Sequence, residues 1–270
     1  MNPLAEIIQW PPRSQAPPLA ANEIHVWAAT LSVAPGILEK YATTLAPDEI
    51  ARANKFKFDK HRNRFIAGRG ALRAMLGQYL NAEPTALRFA YSPNGKPQLT
   101  EGFAGSGIHF NLAHTEDLAV MAVTRIGAIG ADVEAVRPMK NVEELVARFF
   151  SPRENELFQK VSADQKPGAF FDLWTRKEAL LKATGEGITR SLSLVEVSFL
   201  PGEPARLLAI SGSAAKAAQW CLRELSPAAG FTGAIAIDLG ISNIKGGDAD
   251  ETPAARYQAA NINVQCWQWT

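Results

Sequence analysis

Residues 108–136, IHFNLAHTEDLAVMAVTRIGAIGADVEAV, decide the architecture. They are rich in β-formers, and the runs 108–112, 118–124 and 128–136 read as three successive strands. Toward the start, 24–31 reads as a further strand, and 47–54 opens a helix with Asp48 and Glu49 in its first turn, where the dipole favours acids. From 59 to 80, Phe65, Leu72, Leu76, Tyr79 and Leu80 form an apolar stripe at helical spacing. The run 87–91 is strand-like and ends in Ser92-Pro93-Asn94-Gly95-Lys96-Pro97, a strong turn signal. Toward the end, 141–150 reads as helical. Ser151-Pro152-Arg153-Glu154 then starts another helix, with a capping Ser, Pro at the first helical position and Glu three on from the cap. The spacing predicts a long helix over 169–184 stopped by Gly185 and Gly187, then strands at 194–200, 220–225 and 231–239.

Both halves thus combine helices with antiparallel-looking strands, which predicts an α+β architecture of two lobes, 23–125 and 126–241. Residues 1–22 hold five prolines and little periodicity, so they read as a Pro-rich tail. Residues 242–270 also lack core periodicity and read as a disordered tail, with Trp267 and Trp269 as the groups able to dock.

The chain has 270 residues, 28 Lys+Arg against 27 Asp+Glu and 47% hydrophobic residues, enough to bury a sizeable core. A formal net charge of +1 gives no global electrostatic case for nucleic acid or membrane. Cys221 and Cys266 form no CxxC pair, and the four histidines show no HExxH spacing. No apolar run approaches the roughly 20 residues that span a bilayer, and MNPLAEIIQWPP lacks the features of a secretory signal. The expectation is a soluble, cytoplasmic monomer.

Four constellations carry chemical possibilities. On a strand, Asp132 and Glu134 of Gly130-Ala131-Asp132-Val133-Glu134 share one face, Cβ atoms roughly 6.5–7 Å apart. A solvated face explains such a pair, and so does a divalent cation bound by oxygen ligands. In Trp174-Thr175-Arg176-Lys177-Glu178-Ala179-Leu180-Leu181-Lys182, Glu178 and Lys182 stand one helical turn apart, the favoured spacing of a surface pair. Phe170, Phe171, Leu173, Trp174, Leu180 and Leu181 on the same helix suggest burial instead, where both charges need partners. The stretch 52–73 holds eight Lys and Arg against the single acid Asp59. This is either a solvated helix face or a site for an anion such as phosphate. Finally, His114 ends the strand-like Phe110-Asn111-Leu112-Ala113-His114-Thr115, as a structural histidine or a phosphate donor.

Taken in order, FNLAHT (110–115), IGADVE (129–134), RFFSPRE (148–154) and LWTRKEALLKATGEG (173–187) resemble the 4′-phosphopantetheinyl transferases of the surfactin-synthetase-activating type. That family is marked by FN-x-S/A-H-S/T, (I/V)G-x-D-x-E and W-(S/T/C)-x-KE-A/S-x-x-K. RNRFIAGRGALR (62–73) and NGKP (94–97) also look like family features, and the resemblance covers about 24–239. It implies a pseudo-dimer of two similar lobes with coenzyme A in the cleft between them. It also implies transfer of the phosphopantetheine arm to a serine of an apo acyl or peptidyl carrier protein, releasing 3′,5′-ADP. Carried over, Asp132, Glu134 and Glu178 match Mg²⁺ (or Mn²⁺) ligands, and Lys182 matches the pyrophosphate lysine. Arg52, Arg64 and His114 match groups around the adenosine 3′-phosphate, and Lys96 lies near the nucleotide. Glu178, held ionised by the cations around it, is the candidate base for the serine hydroxyl. Ala113 departs from the serine often found before the histidine, Glu49 stands where a relative has a second phosphate lysine, and Ala131 is smaller than the usual Ile or Val. A metal-dependent phosphohydrolase acting on a nucleotide is the rival enzyme reading, and a nucleic-acid-binding module using 52–73 is the non-enzymatic one.

Overall fold

The structure, a computed structural model, describes residues 8–185, 192–240 and 262–270. Two sheets form its centre. The larger contains β1 (Pro12–Arg13), β2 (Glu23–Thr30), β5 (His109–Thr115), β6 (Leu118–Thr124) and β12 (Asn263–Trp269), in the order β1-β12-β2-β6-β5. The smaller contains β7 (Ile129–Ala135), β10 (Trp220–Leu225) and β11 (Phe231–Asp238), in the order β10-β11-β7. β3 (Phe89–Tyr91) with β4 (Pro97–Leu99), and β8 (Val195–Val197) with β9 (Leu207–Ile210), form two-stranded additions. The helices are α1 (Pro35–Ala42), α2 (Pro47–Ala53), α3 (Asp59–Leu80), α4 (Glu101–Ala104), α5 (Val142–Phe149), α6 (Pro152–Gln159), α7 (Lys166–Thr184) and α8 (Ala214–Ala217). The α+β expectation therefore stands.

The period of two along each strand sets the layers. Trp27 and Ala29 of β2 and Met121 and Val123 of β6 pack on Leu72, Met75 and Leu76 of α3. Their neighbours Val26, Ala28, Val120 and Ala122 turn the other way, onto Ile129, Ala131 and Val133 of β7 and Ile235 and Ile237 of β11. The far face of the second sheet carries α7, whose Ala179, Leu180 and Ala183 pack with Ala234 and Ala236. The stacking order is α3, first sheet, second sheet, α7. In β7, Asp132 shares its parity with Gly130 and Glu134, so it faces α7 and not the apolar seam between the sheets.

The two tails require correction. Asn263–Trp269 is not an unpaired tail: it is an internal strand, parallel to β2 on one side and to β1 on the other. Trp267 and Trp269 join the α3-side core, while Val264 and Cys266 pack toward the second sheet. A strand buried on both faces shows no clean alternation of apolar and polar residues, and its Asn and Gln hide it further. The remainder of that segment, 241–261, lies outside the described residues, as does Gly187. The Pro-rich start is likewise tied down. Pro12 and Arg13 pair with β12 at the sheet edge, where proline is tolerated, and buried Ile8 bridges to Ala228. Among the described residues, no helix is long and apolar enough to cross a membrane.

Candidate functional site

The site begins with a close approach. A Cβ on Gly130 would stand 2.0 Å from the Ala179 carbonyl oxygen and 2.4 Å from the Ala183 nitrogen, so only glycine lets the α7 backbone lie against β7. That contact brings Lys182 to Asp132, where Nζ donates to Oδ1 at 2.5 Å. Glu178, one turn earlier on α7, is 3% exposed, and Asp132 is 5% exposed. Glu178 and Lys182 are therefore not a surface pair. Glu134, on the same strand face, accepts from Thr115 Oγ1 at 3.1 Å, and Arg137 reaches its outer edge at 3.5 Å.

Asp132 Oδ2 and Glu178 Oε1 are buried and have no hydrogen-bond partner among the described residues. Burial pushes the Asp132 carboxyl up to about 6 against the opposing pull of Lys182. It pushes Glu178 up to about 7, with the neighbouring Asp132 charge adding to the rise. Desolvation thus outweighs the pull of the Lys182 ammonium at Glu178. Among the described residues, no three His, Cys, Asp or Glu side chains converge as a closed metal cage. The donor set still suits a hard divalent ion: two orphaned carboxylate oxygens, with a third carboxylate on the same strand face.

A groove leads away from this acidic end. Lys96, Gly95, Pro97 and Leu112 line it together with Glu178 and Lys182. Gly95, Pro97 and Leu112 also border a second chamber lined by Arg52, Arg64, Arg69 and His114. Arg52, Arg64 and His114 are thus brought together in one chamber, while Glu178 lines the adjoining groove with Lys182 and Lys96. Arg52 lies over the Phe65 ring at 5.4 Å, and Arg64 Nε pairs with Asp117 at 2.7 Å. Burial, with Lys182, Arg64 and Arg52 nearby, lowers the His114 pKa. Lys96 lines the groove and also has a structural role. Its ammonium donates to Ile129 O at 2.9 Å and Ala183 O at 3.1 Å, and Asn94 Nδ2 donates to Gly185 O at 2.6 Å. The 92–97 turn is thereby fastened to both β7 and the end of α7.

Two sequence profiles match the chain: the 4′-phosphopantetheinyl transferase superfamily over residues 128–236, and the 4′-phosphopantetheinyl transferase N-terminal region over 34–126. The 4′-phosphopantetheinyl transferase HetI of Nostoc is 44% identical over 228 residues, which is 84% of this chain and 93% of HetI. The chain belongs to the 4′-phosphopantetheinyl transferases. This transferase is also 30% identical to psf-1 of Bacillus pumilus over 58% of its own length and 64% of psf-1. It is 26% identical to the Bacillus subtilis 4′-phosphopantetheinyl transferase over 59% of its own length and 68% of that relative.

Several motif residues of this phosphopantetheinyl transferase prove to be braces. Asn111 Oδ1 accepts from Ala131 N at 2.9 Å and so stitches β5 to β7. Lys177 is fully buried: its ammonium bonds Glu154 and donates to Leu192 O at 2.7 Å. Glu154 makes the predicted capping box with Ser151, accepting from its backbone N at 3.0 Å, and also accepts from Val197 N at 3.0 Å. Ala113, where a serine is frequent, is a core residue between the sheets. The basic stretch is partly internal, since Arg64 pairs with Asp117, and Arg69 and Arg73 pair with Glu49. Arg52, Lys55, Lys57, Lys60 and Arg62 of the same stretch stay exposed. Sequence reasoning missed Asn111 and the Lys177–Glu154 pair, and held Arg69 only as part of the basic stretch 52–73. The one available signal was a lysine beside bulky apolar residues.

Proposed function

We propose that this transferase moves the 4′-phosphopantetheine arm of coenzyme A onto a serine of an apo acyl or peptidyl carrier protein, releasing 3′,5′-ADP. The observation that carries this reading is a pair of adjoining cavities that share Gly95, Pro97 and Leu112, one lined by Arg52, Arg64 and His114 and the other by Glu178 and Lys182, with Lys182 held by Asp132. A ligand with a terminal phosphate and an internal pyrophosphate matches that charge order. The surfactin-synthetase-activating type rests on the order of the four motifs.

Asp132, Glu178 and Glu134 would hold a divalent cation, Mg²⁺ or Mn²⁺. When bound, it supplies positive charge against the pyrophosphate. Lys182, anchored by Asp132, donates toward the leaving oxygen as negative charge builds there. Glu178 accepts the proton of the carrier serine. The serine oxygen then bonds to the phosphorus bearing the pantetheine arm, and the bond to the bridging oxygen breaks.

Incubation with coenzyme A, Mg²⁺ and an apo carrier protein tests the reading by intact mass. The carrier should gain one phosphopantetheine group, and 3′,5′-ADP should appear in equal amount. Nucleotide breakdown with an unmodified carrier would instead favour the phosphohydrolase.

A further inference from the structure

Arg69 and Arg73 project from α3 into the same buried place as Glu49 of α2, where the three side chains are at most 6% exposed. Arg73 takes the carboxylate at close range, with Nε donating to Oε2 at 2.7 Å and Nη2 lying 2.6 Å away. Its Nη1 is satisfied by Pro84 O at 2.8 Å and Leu87 O at 3.0 Å. Glu49 Oε2 also accepts from Ala46 N at 3.0 Å, which anchors the start of α2. Arg69 receives what is left: Nε lies 3.3 Å from Oε1, Nη2 donates to Tyr91 Oη at 3.1 Å, and Nη1 has no hydrogen-bond partner among the described residues. One carboxylate therefore serves two guanidinium groups, leaving one positive charge uncompensated. Buried charge without a partner is costly, and native structures almost always pair it.

Glu49 Oε1 and Arg73 Nη2 also lack hydrogen-bond partners among the described residues, but of the two guanidinium groups Arg69 is the one that borders the chamber lined by Arg52, Arg64 and His114. Around that chamber Arg64 is taken by Asp117, so the cationic charge not matched by a carboxylate of its own comes from Arg52 and Arg69. Arg69 is also fixed in place between the Phe89 and Tyr91 rings, its guanidinium carbon 5.5 Å from each centroid. A fork held this firmly loses little entropy on meeting an oxyanion.

We propose that Arg69 is a further phosphate-binding residue, its guanidinium serving the 3′-phosphate of the bound nucleotide while Glu49 positions it without neutralising it. This assignment rests on the nucleotide reading of the groove given above. It follows that Glu49 does not weaken phosphate binding where a relative has lysine, because the charge it removes is returned by Arg69.

Calorimetric titration with 3′,5′-ADP and with 5′-AMP, which differ only in the 3′-phosphate, tests the proposal. Arg69→Met should weaken 3′,5′-ADP on the order of 10-fold or more, the usual scale for a charge-assisted contact, and leave 5′-AMP nearly unchanged. Its melting temperature should hold or rise, because Glu49 keeps Arg73 as a neutral pair. Arg69→Lys retains the charge and should recover part of the loss; should Arg69→Met fail to fold, selective weakening in Arg69→Lys decides the matter. Equal weakening for both nucleotides, or unchanged 3′,5′-ADP affinity with a lower melting temperature, overturns the assignment and makes Arg69 a structural ion pair. Failure of the wild-type protein to prefer 3′,5′-ADP over 5′-AMP overturns the nucleotide reading itself, and this proposal with it.

Discussion

Replacing Gly130 by alanine is the sharpest test of how the acidic end is assembled. The added Cβ would meet Ala179 O at 2.0 Å, Ala183 N at 2.4 Å and the Lys182 carbonyl carbon at 2.9 Å. Ordinary contact needs about 3.5 Å, so α7 must withdraw from β7 by on the order of 1 Å. The obstructing atoms are all helix backbone, so no rotamer change relieves them. Overpacking of this kind costs about 1–3 kcal/mol, which at this chain length lowers the melting temperature by roughly 2–10 °C. The same withdrawal stretches the 2.5 Å Lys182–Asp132 bond and shifts Glu178. A 1 Å misplacement of catalytic groups costs on the order of 10²-fold in rate. The assay is carrier conversion by intact mass alongside thermal unfolding, with Gly168→Ala as the control. Gly168 lies in α7, and its Cβ would meet nothing within 4 Å. That control should keep full activity and gain about 0.5–1 kcal/mol. Gly130→Ala with wild-type rate and melting temperature would refute the reasoning.

Three further outcomes are expected. Glu178→Gln should lower kcat on the order of 10²-fold with little change in coenzyme A affinity; an unaltered kcat removes the base assignment, and rescue by high Mg²⁺ reduces Glu178 to a ligand. Trp267→Ala should cost about 3–5 kcal/mol by urea unfolding, because its ring packs 4.9 Å from Trp27 and edge-on to His25; a loss under 1 kcal/mol would mean that β12 contributes little. Burial lowers the Lys96 ammonium to about 8 from its usual 10.5, so the unfolded chain holds more protons than the folded one between those values. The Lys96 contribution to stability should therefore rise with pH from about 8 to 10.5; denaturation of the wild type and Lys96→Met across that window should show the difference, and parallel curves would refute the shift.

Elements that carry a local signal were legible in the sequence. The run 118–124 reads as a strand because all its positions are apolar or β-branched, and it is buried throughout. Asp59–Leu80 reads as one helix from its apolar spacing, and the Ser151 cap from its chemistry. The shared face of Asp132 and Glu134 follows from strand parity alone. Helix α1 escaped detection because none of its residues is buried. Arg69 and Arg73 look like part of a solvated charge run until α2 delivers Glu49, a partner whose identity depends on how two helices dock. Lys177 and Glu154 lie 23 residues apart and meet only once α6 packs on α7. Long-range pairing of charges leaves no periodic trace in a single chain.

The position of β12 also sets an order of events during folding. Glu23 of β2 and Asn263 of β12 face each other across 240 residues of chain. Closing a loop of that length costs about 5 kcal/mol in chain entropy before any contact rewards it, whereas β5 and β6 are separated by a tight turn. Pairing β2 with β6 closes a shorter loop, Thr30 to Leu118, at about 4 kcal/mol, so the β2–β6–β5 unit can form before β12 docks, leaving the outer edge of β2 open as a template for stray strands. β1 cannot close that edge, because its only strand partner among the described residues is β12. Until residues 263–269 arrive, Trp27 also lacks the two indoles that cover it, and the half-built protein shows an apolar, hydrogen-bond-hungry margin. A nascent chain paused short of that segment should be a chaperone client, and release of the finished chain should end the dependence.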